Sequence, residues 1–332
     1  MHWPNGSLAA RDGPTISQSR ELIVGSRGYL PVPGEICQPD ARKLGIPDPH
    51  EILDPVNDTE LQEVLAWLRA RPIDTLLRDA VDSAVKYVLD GARTWRFDLN
   101  DPSVDSDERS SVGTKLQYHV IEGLGLKKEP PLDTTIADRP VEIKGTVRKT
   151  WMIPREGQCE ITLMIRIDTR RHEFEARLMR AHRAWLTGKK GNRDLKRSPR
   201  VDAVHRYSLV VAPPTPLPPE PLRMLDDEQV ARVFGPGGLK GRLVELFASL
   251  PETVIPRGSI AVVGAGLHDP LRRAREAKVP LREKYGLVAL VGTWPAEREL
   301  ARRMGFDISG EAWVAVYPET FHAHELDIPV PD

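Results

Sequence analysis

Six of the ten residues from Ala212 to Pro221 are proline, in the run A-P-P-T-P-L-P-P-E-P. Proline fixes its own backbone angle and has no main-chain N–H to donate, so neither a helix nor a central strand is expected to run through such a segment. We interpret residues 212–221 as a semi-rigid, extended linker. The chain of 332 residues is also long for one domain. We therefore predict one domain before the linker, residues 58–211, and a second after it, residues 222–332.

The first 57 residues show no sustained hydrophobic period and are rich in proline, glycine and aspartate. We predict that residues 1–57 form an irregular arm. No basic segment followed by an apolar stretch opens the chain, and no apolar run is long enough for a membrane span. The only two cysteines, Cys37 and Cys159, indicate neither a disulfide framework nor a zinc-binding set, and they fit a reducing cytosol. These features predict a cytoplasmic protein without a membrane partner.

Hydrophobic spacing in residues 58–211 predicts helices first and strands later. Apolar residues at helical intervals follow a plausible cap at Asp58-Thr59, and a proline ends that helix. Further helices are predicted over 73–89, where Gly91 supplies the stop, over 111–124 and over 173–186, with an acidic loop at 102–109. Strands are predicted at 141–144, 159–168 and 207–211. In the helix over 111–124, Gln117 and His119 are placed on the surface, away from the buried stripe. This order of elements is typical of an α/β domain with a central sheet.

The second domain reads as short helices interspersed with short strands. Helices are predicted over 226–234, 239–250, 268–278 and 297–304, and strands over 259–263, 285–291 and 312–316. Such a set, with one basic helix, is typical of a helix-turn-helix or winged-helix module. The basic helix carries Arg272, Arg273 and Arg275, which are candidates for reading a DNA groove.

The segment Asp133 to Lys144 reads D-T-T-I-A-D-R-P-V-E-I-K and holds the candidate catalytic residues. Its last four residues alternate apolar and charged, so Glu142 and Lys144 are expected on one face of a strand. Asp133 lies far enough upstream for a hairpin to bring it beside them. Two carboxylates and a lysine on one face can hold Mg²⁺ and orient a water nucleophile for phosphodiester hydrolysis. An exposed strand whose Glu and Lys only meet solvent is the alternative, because E-x-K is common by chance.

Charge is distributed unevenly around this segment. Residues 35–143 contain 13 Lys and Arg against 22 Asp and Glu, whereas residues 144–206 contain 17 Lys and Arg against 7 Asp and Glu. A basic block directly after an acidic candidate site suits a polyanionic ligand that is held by one region and cut by another. A solvated surface remains the alternative explanation.

Several other segments accompany the strand motif. They are Leu89-Asp90-Gly91 with Arg93-Thr94, Gly113-Thr114, Trp151-Met152-x-Pro154, the run Gly191-Asn192-Arg193-Asp194-Leu195-Lys196-Arg197 and, more weakly, Glu245-Leu246-Phe247, Ile260 and Trp313-Val314-Ala315-Val316. Together with Asp133 and Glu142-x-Lys144, they resemble the NaeI-type restriction endonucleases, part of the PD-(D/E)xK nuclease group. The resemblance covers roughly residues 74–320 and leaves the N-terminal arm unexplained.

The resemblance implies a restriction-endonuclease-like mixed sheet flanked by helices. It also implies a C-terminal DNA-binding domain similar to the helix-turn-helix of catabolite-activator proteins. Members of this family act as homodimers on short palindromic sites in double-stranded DNA, and a second copy of the site, bound by the C-terminal domains, activates them. A DNA methyltransferase of the same restriction–modification system is a further implied partner.

By position, the resemblance makes Asp133 and Glu142 ligands of Mg²⁺, for which Mn²⁺ can substitute. It makes Lys144 the residue that orients or activates the attacking water, where its charge also stabilises developing negative charge. Residues of the basic block are candidates for phosphate contacts, which fix position rather than sequence. These residues are Lys189, Lys190, Arg193, Lys196 and Arg197.

Two positions depart from the family pattern. Glu142 stands where the family has Asp, and both side chains bind hard cations. Gln117 stands where the family has an acidic residue, four positions after Gly113. Glutamine can coordinate through its carbonyl oxygen but adds no charge, so Gln117 is a candidate catalytic position at which the metal site is weakened. The alternative function is a DNA-binding protein that does not cleave, or that cleaves only with a partner protein or a modified base.

Overall fold

The computed structural model describes residues 29–38, 49–187, 195–236, 238–265 and 270–323. Its N-terminal part, residues 29–216, contains five α-helices and seven strands among the described residues. In chain order these are β1 Ile36–Cys37, β2 His50–Glu51, α1 Thr59–Arg69, α2 Ile73–Leu89, α3 Gly91–Thr94, α4 Ser106–Gly123, β3 Thr134–Ile136, β4 Arg139–Thr146, β5 Ile161–Asp168, β6 Glu173–Arg180, α5 Val201–Tyr207 and β7 Leu209–Pro216.

A mixed five-stranded sheet in the order β3-β4-β5-β6-β7 forms the centre of this part. Strands β4 and β5 are parallel, and the other neighbouring pairs are antiparallel. Helix α2 packs against α4, which in turn lies against β4. The prediction of a mixed sheet flanked by helices is therefore confirmed, as is an α/β class consistent with a restriction-endonuclease-like fold.

Helices α1 and α2 match their predicted positions closely. The side chain of Asp58 caps α1 by accepting a hydrogen bond from the N–H of Leu61. Helix α2 ends at Leu89 and is capped by Asp90, which adopts a left-handed conformation with φ of 43°. The predicted stop at Gly91 is thus one residue late, because aspartate also visits this conformation and Gly91 begins the short helix α3.

Helix α4 begins earlier than predicted. The carboxylate of Asp105 accepts hydrogen bonds from the N–H groups of Asp107 and Glu108, so the second half of the predicted acidic loop is helical. Further along, a Cβ placed on Gly113 would lie 2.5 Å from the carbonyl oxygen of Gly145. Only a helix without a side chain at this position can approach β4 so closely. The close approach sets α4 directly beside the strand that carries the candidate catalytic residues.

The helix predicted over 173–186 is wrong. Residues Glu173–Arg180 form strand β6, in which Phe174, Ala176 and Leu178 are buried and the charged residues between them are half-buried. The period of two is visible in the sequence, but Glu, Ala, Leu and Arg favour helix by intrinsic propensity. Pairing with β5 along its whole length overrides that preference.

The interpretation of residues 212–221 as an extended linker is wrong for its first half. Residues 209–216 form β7, which lies at the edge of the sheet, where proline removes no ladder hydrogen bond on the open side. Ala212 and Leu217 are buried in the core of the N-terminal part. Helix α5 directly before this strand was not predicted. The division of the chain into domains stays a prediction.

The irregular arm predicted for residues 1–57 also contains ordered structure. Among its described residues, β1 and β2 pair antiparallel, with Cys37 opposite His50. Cys37 and Ile52 are buried and join a cluster with Trp151, Trp185 and other residues against β5 and β6 of the sheet. Short paired strands and two buried anchors therefore fix this segment to the rest of the molecule.

The C-terminal part, residues 221–323, consists of short helices and one two-stranded sheet. Its elements are α6 Asp227–Val233, α7 Leu239–Ser249, α8 Arg257–Val263, α9 Pro270–Glu276, α10 Lys278–Tyr285, β8 Val288–Val291, α11 Pro295–Arg303, β9 Trp313–Val316 and α12 Pro318–Ala323.

The strand predicted over 259–263 is wrong, since this segment lies in α8 and buries Ser259, Ile260 and Val263 at helical spacing. Such a short apolar run fits the period of a helix as well as that of a strand. The strand predicted over 285–291 is shorter than expected, because α10 extends to Tyr285.

Polar and aromatic contacts join the two parts. The guanidinium of Arg223 lies 2.7 Å from the carboxylate of Asp98. The rings of Phe97 and Phe234 stack with 5.7 Å between their centroids. Among the described residues, no helix combines the length and apolar character needed to cross a bilayer.

Candidate active site

Two buried carboxylates, Asp133 and Glu142, come together at the β3–β4 hairpin. Asp133 directly precedes β3, and the hairpin residues Ala137 and Asp138 have positive φ angles of 51° and 59°. The return strand places the Oδ2 atom of Asp133 2.9 Å from the N–H of Ile143, which donates to it. The structure thus brings Asp133 to the strand that carries Glu142, as the length of the segment predicts.

Lys144 lies on the same face of β4 as Glu142. Its Nζ atom is 2.6 Å from Oε1 of Glu142. The Lys144 side chain is 25% exposed and the Glu142 side chain only 4%. The ammonium group therefore stands at the boundary between the buried carboxylate and solvent.

Burial raises the pKa of both carboxyl groups above their ordinary values. The N–H of Ile143 and the charge of Lys144 act in the opposite direction on Asp133, and Lys144 does so on Glu142, but burial outweighs them. The carboxylate of Glu156 adds to the rise at both groups. Negative charge at this site is therefore incompletely compensated, which favours a bound cation.

A cleft of about 360 Å³ opens beside these residues between α4 and β4. Its lining comprises Ser110, Gly113, Thr114, Gln117, Ile143, Lys144, Gly145, Thr146, Val147, Arg148, Thr150, Met152 and Lys196. Gln117 is only 9% exposed and lines this cleft together with Lys144. Its predicted place on the outer surface of the helix is therefore wrong. Gln117, which stands where the family pattern has an acidic residue, therefore lies within the cleft.

The donor atoms of the site suit a hard divalent cation. Within the described residues, neither Oδ1 of Asp133 nor Oε2 of Glu142 is engaged in a hydrogen bond. Oxygen atoms of two carboxylates are the ligands that Mg²⁺ and similar ions prefer. The residues present therefore fit a divalent metal ion.

A comparison with known families identifies the family of the chain. The family model for restriction endonuclease NaeI matches residues 64–316, most of the chain and all of the site described above. The chain belongs to the NaeI restriction endonuclease family. No curated protein matches the chain.

Membership of the NaeI family makes the protein a type II restriction endonuclease, that is, a site-specific deoxyribonuclease. Enzymes of this class hydrolyse double-stranded DNA and typically use divalent metal ions. The two buried carboxylates with available oxygen atoms agree with that requirement.

The residues predicted to contact DNA before the linker fall into two groups. Lys196 is exposed and lines the same cleft as Lys144 and Gln117. Arg197 donates hydrogen bonds to the carbonyl oxygens of Leu186, at 2.7 Å, and Thr187, at 3.1 Å, and so stabilises the local chain. Three further residues, Lys189, Lys190 and Arg193, lie outside the described residues.

The arginines of the C-terminal part lie on α9, as predicted. Arg272, Arg273 and Arg275 are exposed. The first two form ion pairs with Glu276, at 3.4 Å and 2.5 Å. The structure brings none of them into the cleft lined by Lys144.

Two residues near the site were missed from the sequence. A Cβ placed on Gly157 would lie 3.1 Å from Cγ of Glu142, so the main chain at Gly157 packs directly against the carboxylate side chain. The neighbouring Glu156 is exposed and contributes negative charge at both buried carboxyls. Both lie in a loop before β5 where no hydrophobic period indicates their position.

Proposed function

We propose that the protein is a Mg²⁺-dependent, sequence-specific endonuclease of double-stranded DNA, in which Asp133, Glu142 and Lys144 carry the chemistry. The observation that supports this most strongly is the meeting of two buried carboxylates and a lysine on β4, within the region that matches the NaeI family. Mn²⁺ is proposed to substitute for Mg²⁺, because both are hard cations with oxygen ligands.

Asp133 and Glu142 would hold the metal ion through the oxygen atoms that make no other described contact. When bound, such an ion supplies Lewis-acid stabilisation of charge at the scissile phosphate. Lys144, at the mouth of the buried site, positions the attacking water. Its positive charge also stabilises the negative charge that develops on the phosphate oxygens.

The phosphate backbone of DNA is proposed to enter the cleft beside α4. Lys196 and Arg148 contribute exposed positive charge to its lining. The predicted contacts of Lys189, Lys190 and Arg193 would extend this basic surface along the chain before Lys196. Phosphate contacts of this kind position the duplex, and base contacts elsewhere select the sequence.

The C-terminal part is proposed to be a helix-turn-helix or winged-helix DNA-binding domain. Support comes from its short helices, its two-stranded sheet and the exposed arginines of α9. A second copy of the recognition site bound there would activate cleavage in the first part. We further propose that the enzyme acts in the cytoplasm as a homodimer, with a DNA methyltransferase that protects the host sites.

Digestion of a varied panel of plasmid and genomic DNA tests this proposal. Each DNA is supplied methylated and unmethylated and is incubated with purified protein with Mg²⁺, with Mn²⁺ or with a chelator. The expected result is a set of discrete fragments with either metal ion and intact DNA with the chelator. Intact DNA under every condition would contradict the proposal.

A second candidate function is DNA binding without cleavage, and Gln117 is the observation that favours it. A neutral amide lies in the cleft at the position where the family has a carboxylate, so one negative charge near the metal is missing. If this loss has silenced the chemistry, wild type binds DNA with a steep salt dependence and no metal dependence. Gln117→Glu would then cleave where wild type does not, whereas the neutral control Gln117→Met would not. A wild type that already cleaves rules this function out.

A further inference from the structure

Four metal-ligating side chains meet at a second place in the N-terminal part, away from the carboxylates. They are Cys37, His50, Cys159 and His182, and one ligand atom from each lies within 4.8 Å of all the others. The sulfur atoms of the two cysteines are 3.7 Å apart. Nε2 of His50 and Nδ1 of His182 are 3.2 Å apart.

These separations fit the geometry of one tetrahedral zinc ion. Zinc lies about 2.3 Å from a cysteine sulfur and about 2.0–2.1 Å from a histidine nitrogen. At the tetrahedral angle, such bonds separate two sulfur ligands by about 3.8 Å and two nitrogen ligands by about 3.3 Å. We propose that Cys37, His50, Cys159 and His182 bind a structural Zn²⁺ ion that fastens the N-terminal segment to the sheet.

The fold supplies two ligands from each of two distant segments. Cys37 and His50 are opposite each other in the β1–β2 pair. Cys159 lies just before β5 and His182 just after β6, and the N–H of Cys159 donates to the carbonyl oxygen of Ala181, at 2.9 Å. One strand pair thus presents a Cys and a His to the Cys and His of another. A single ion bound by all four side chains would join the two strand pairs.

The surroundings of the ligands favour a closed site. Cys37, Cys159 and His182 are buried, and His50 is half-buried. The N–H of Arg183 donates to the sulfur of Cys159, at 3.3 Å, as is suitable for a thiolate. Four protein ligands are the pattern of structural zinc, whereas catalytic zinc keeps one position open.

One contact must change when the ion binds. The N–H of Leu53 lies 3.3 Å from Nε2 of His182 and donates to it. Coordination through Nδ1 leaves the imidazole proton on Nε2, so this long hydrogen bond then opens. The segment around Leu53 is expected to shift slightly in the zinc-bound protein.

A disulfide between Cys37 and Cys159 is the competing explanation of their proximity. It would use the two sulfurs and leave the paired imidazoles without a role. A metal ion uses all four groups, and the soft sulfur ligands with imidazole select zinc over Mg²⁺. The metal site therefore accounts for more of the cluster.

The test uses the full chain, purified without chelators and with a thiol reductant. We expect about one equivalent of zinc per chain, measured by elemental analysis in excess Mg²⁺. Replacement by Co²⁺ is expected to give the absorption of a tetrahedral site with a sulfur-to-cobalt charge-transfer band. Because the chain has only two cysteines, this band assigns the ion to Cys37 and Cys159 and not to the carboxylate site.

Substitutions of the ligand residues test whether the ion is bound at this cluster. Cys159→Ser and His182→Ala are expected to lose the zinc, while His205→Ala, an exposed histidine on α5, keeps it. His50→Cys should retain one zinc with three sulfur ligands, which keeps the test decisive if the other variants fail to fold. The proposal is overturned if folded wild type carries no zinc and gives no charge-transfer band. It is equally overturned if Cys37 and Cys159 are found as a disulfide, or if folded Cys159→Ser keeps a full equivalent of zinc.

Discussion

The N-terminal part of the molecule holds two clusters of ionisable side chains that differ in chemistry. Asp133 and Glu142 offer oxygen atoms next to an open cleft, and Lys144 stands at its edge. The Cys37 cluster offers two sulfur and two nitrogen atoms, enough to complete a tetrahedral zinc site. The first arrangement suits an exchangeable ion that meets a substrate, and the second suits a permanent ion that holds the chain together.

The two clusters also relate differently to stability. Burial raises the pKa of Asp133 and Glu142, so their charged forms oppose folding when no metal is bound. At the Cys37 cluster, the four ligands would join the β1–β2 segment to the sheet, which this segment also contacts through the buried Cys37 and Ile52. Removing a carboxylate is therefore expected to stabilise the metal-free protein, and removing a zinc ligand to destabilise the fold. The sign of the stability change therefore distinguishes a site that serves activity from a site that serves structure.

The largest expected effect is on cleavage by Asp133→Asn. Loss of a metal-binding charge should reduce the cleavage rate by about three orders of magnitude, since a bound ion contributes several kcal/mol. The exposed control Asp138→Asn in the same hairpin should cleave like wild type. Single-turnover cleavage assays measure both rates.

The Asp133→Asn variant also tests how the stability of the metal-free protein depends on pH. A carboxyl group with a raised pKa in the folded state binds its proton more tightly there than in the unfolded chain. The metal-free wild type should therefore lose stability as the pH rises through the raised pKa of Asp133, and Asp133→Asn should lose less. Thermal unfolding of both proteins between pH 4 and 8, in chelator, checks this. Equal curves would contradict the proposed difference between the clusters.

The next effect is on stability, by Cys159→Ser. Loss of a structural metal should lower the free energy of unfolding by about 4 kcal/mol or more, because such losses belong to the most damaging class of substitutions. Cleavage at a temperature where the variant stays folded should remain within about tenfold of wild type. Denaturant unfolding and cleavage rates are compared in the same preparation. A thousandfold loss of cleavage in the folded variant would show that the two clusters are not separable.

A smaller effect is expected from Gly157→Ala, a substitution between Lys144 and Cys159 in the chain. The added methyl group would meet Cγ of Glu142 at 3.1 Å and so displace the carboxylate by a few tenths of an ångström. We expect about a tenfold loss of cleavage with little change in stability. Gly241→Ala, where nothing lies within 4 Å of the added carbon, is the matched control. A wild-type rate in Gly157→Ala would mean that the position of Glu142 is less constrained than its packing indicates.

The carboxylate site could be located from the sequence because its signals are local. Glu142 and Lys144 are two apart on one strand, and a hairpin can bring Asp133 to them, so periodicity indicated that the three could meet. The resemblance to the NaeI-type enzymes then favoured a catalytic site over an exposed strand. The burial of Gln117 was also encoded locally. It stands one helical turn from Gly113 and from Ile121, on the face that meets β4, and its polarity led to the wrong assignment.

The Cys37 cluster and the order of strands in the central sheet depend on contacts between residues far apart in the chain, and no local sequence pattern identifies such partners. The two cysteines are 122 residues apart, and His50 and His182 are 132 apart. Each half supplies one Cys and one His, so no segment shows the close spacing of a zinc motif. Strand β6 has a local period of two, but its helix-favouring composition led to the wrong prediction, and its pairing with β5 decides its conformation.

Lys144 is proposed to act in the chemistry of cleavage and not in holding DNA. The most direct measurement compares wild type, Lys144→Ala and the exposed control Lys149→Ala on one DNA fragment that wild type cuts. Cleavage is followed with Mg²⁺, and binding is followed on the same fragment with Ca²⁺ in place of Mg²⁺. Lys144→Ala is expected to lose about a hundredfold or more in cleavage rate and to bind within about twofold of wild type, whereas Lys149→Ala keeps both. Cleavage by Lys144→Ala at the wild-type rate would contradict this role of Lys144, and so would a loss of cleavage fully explained by lost binding.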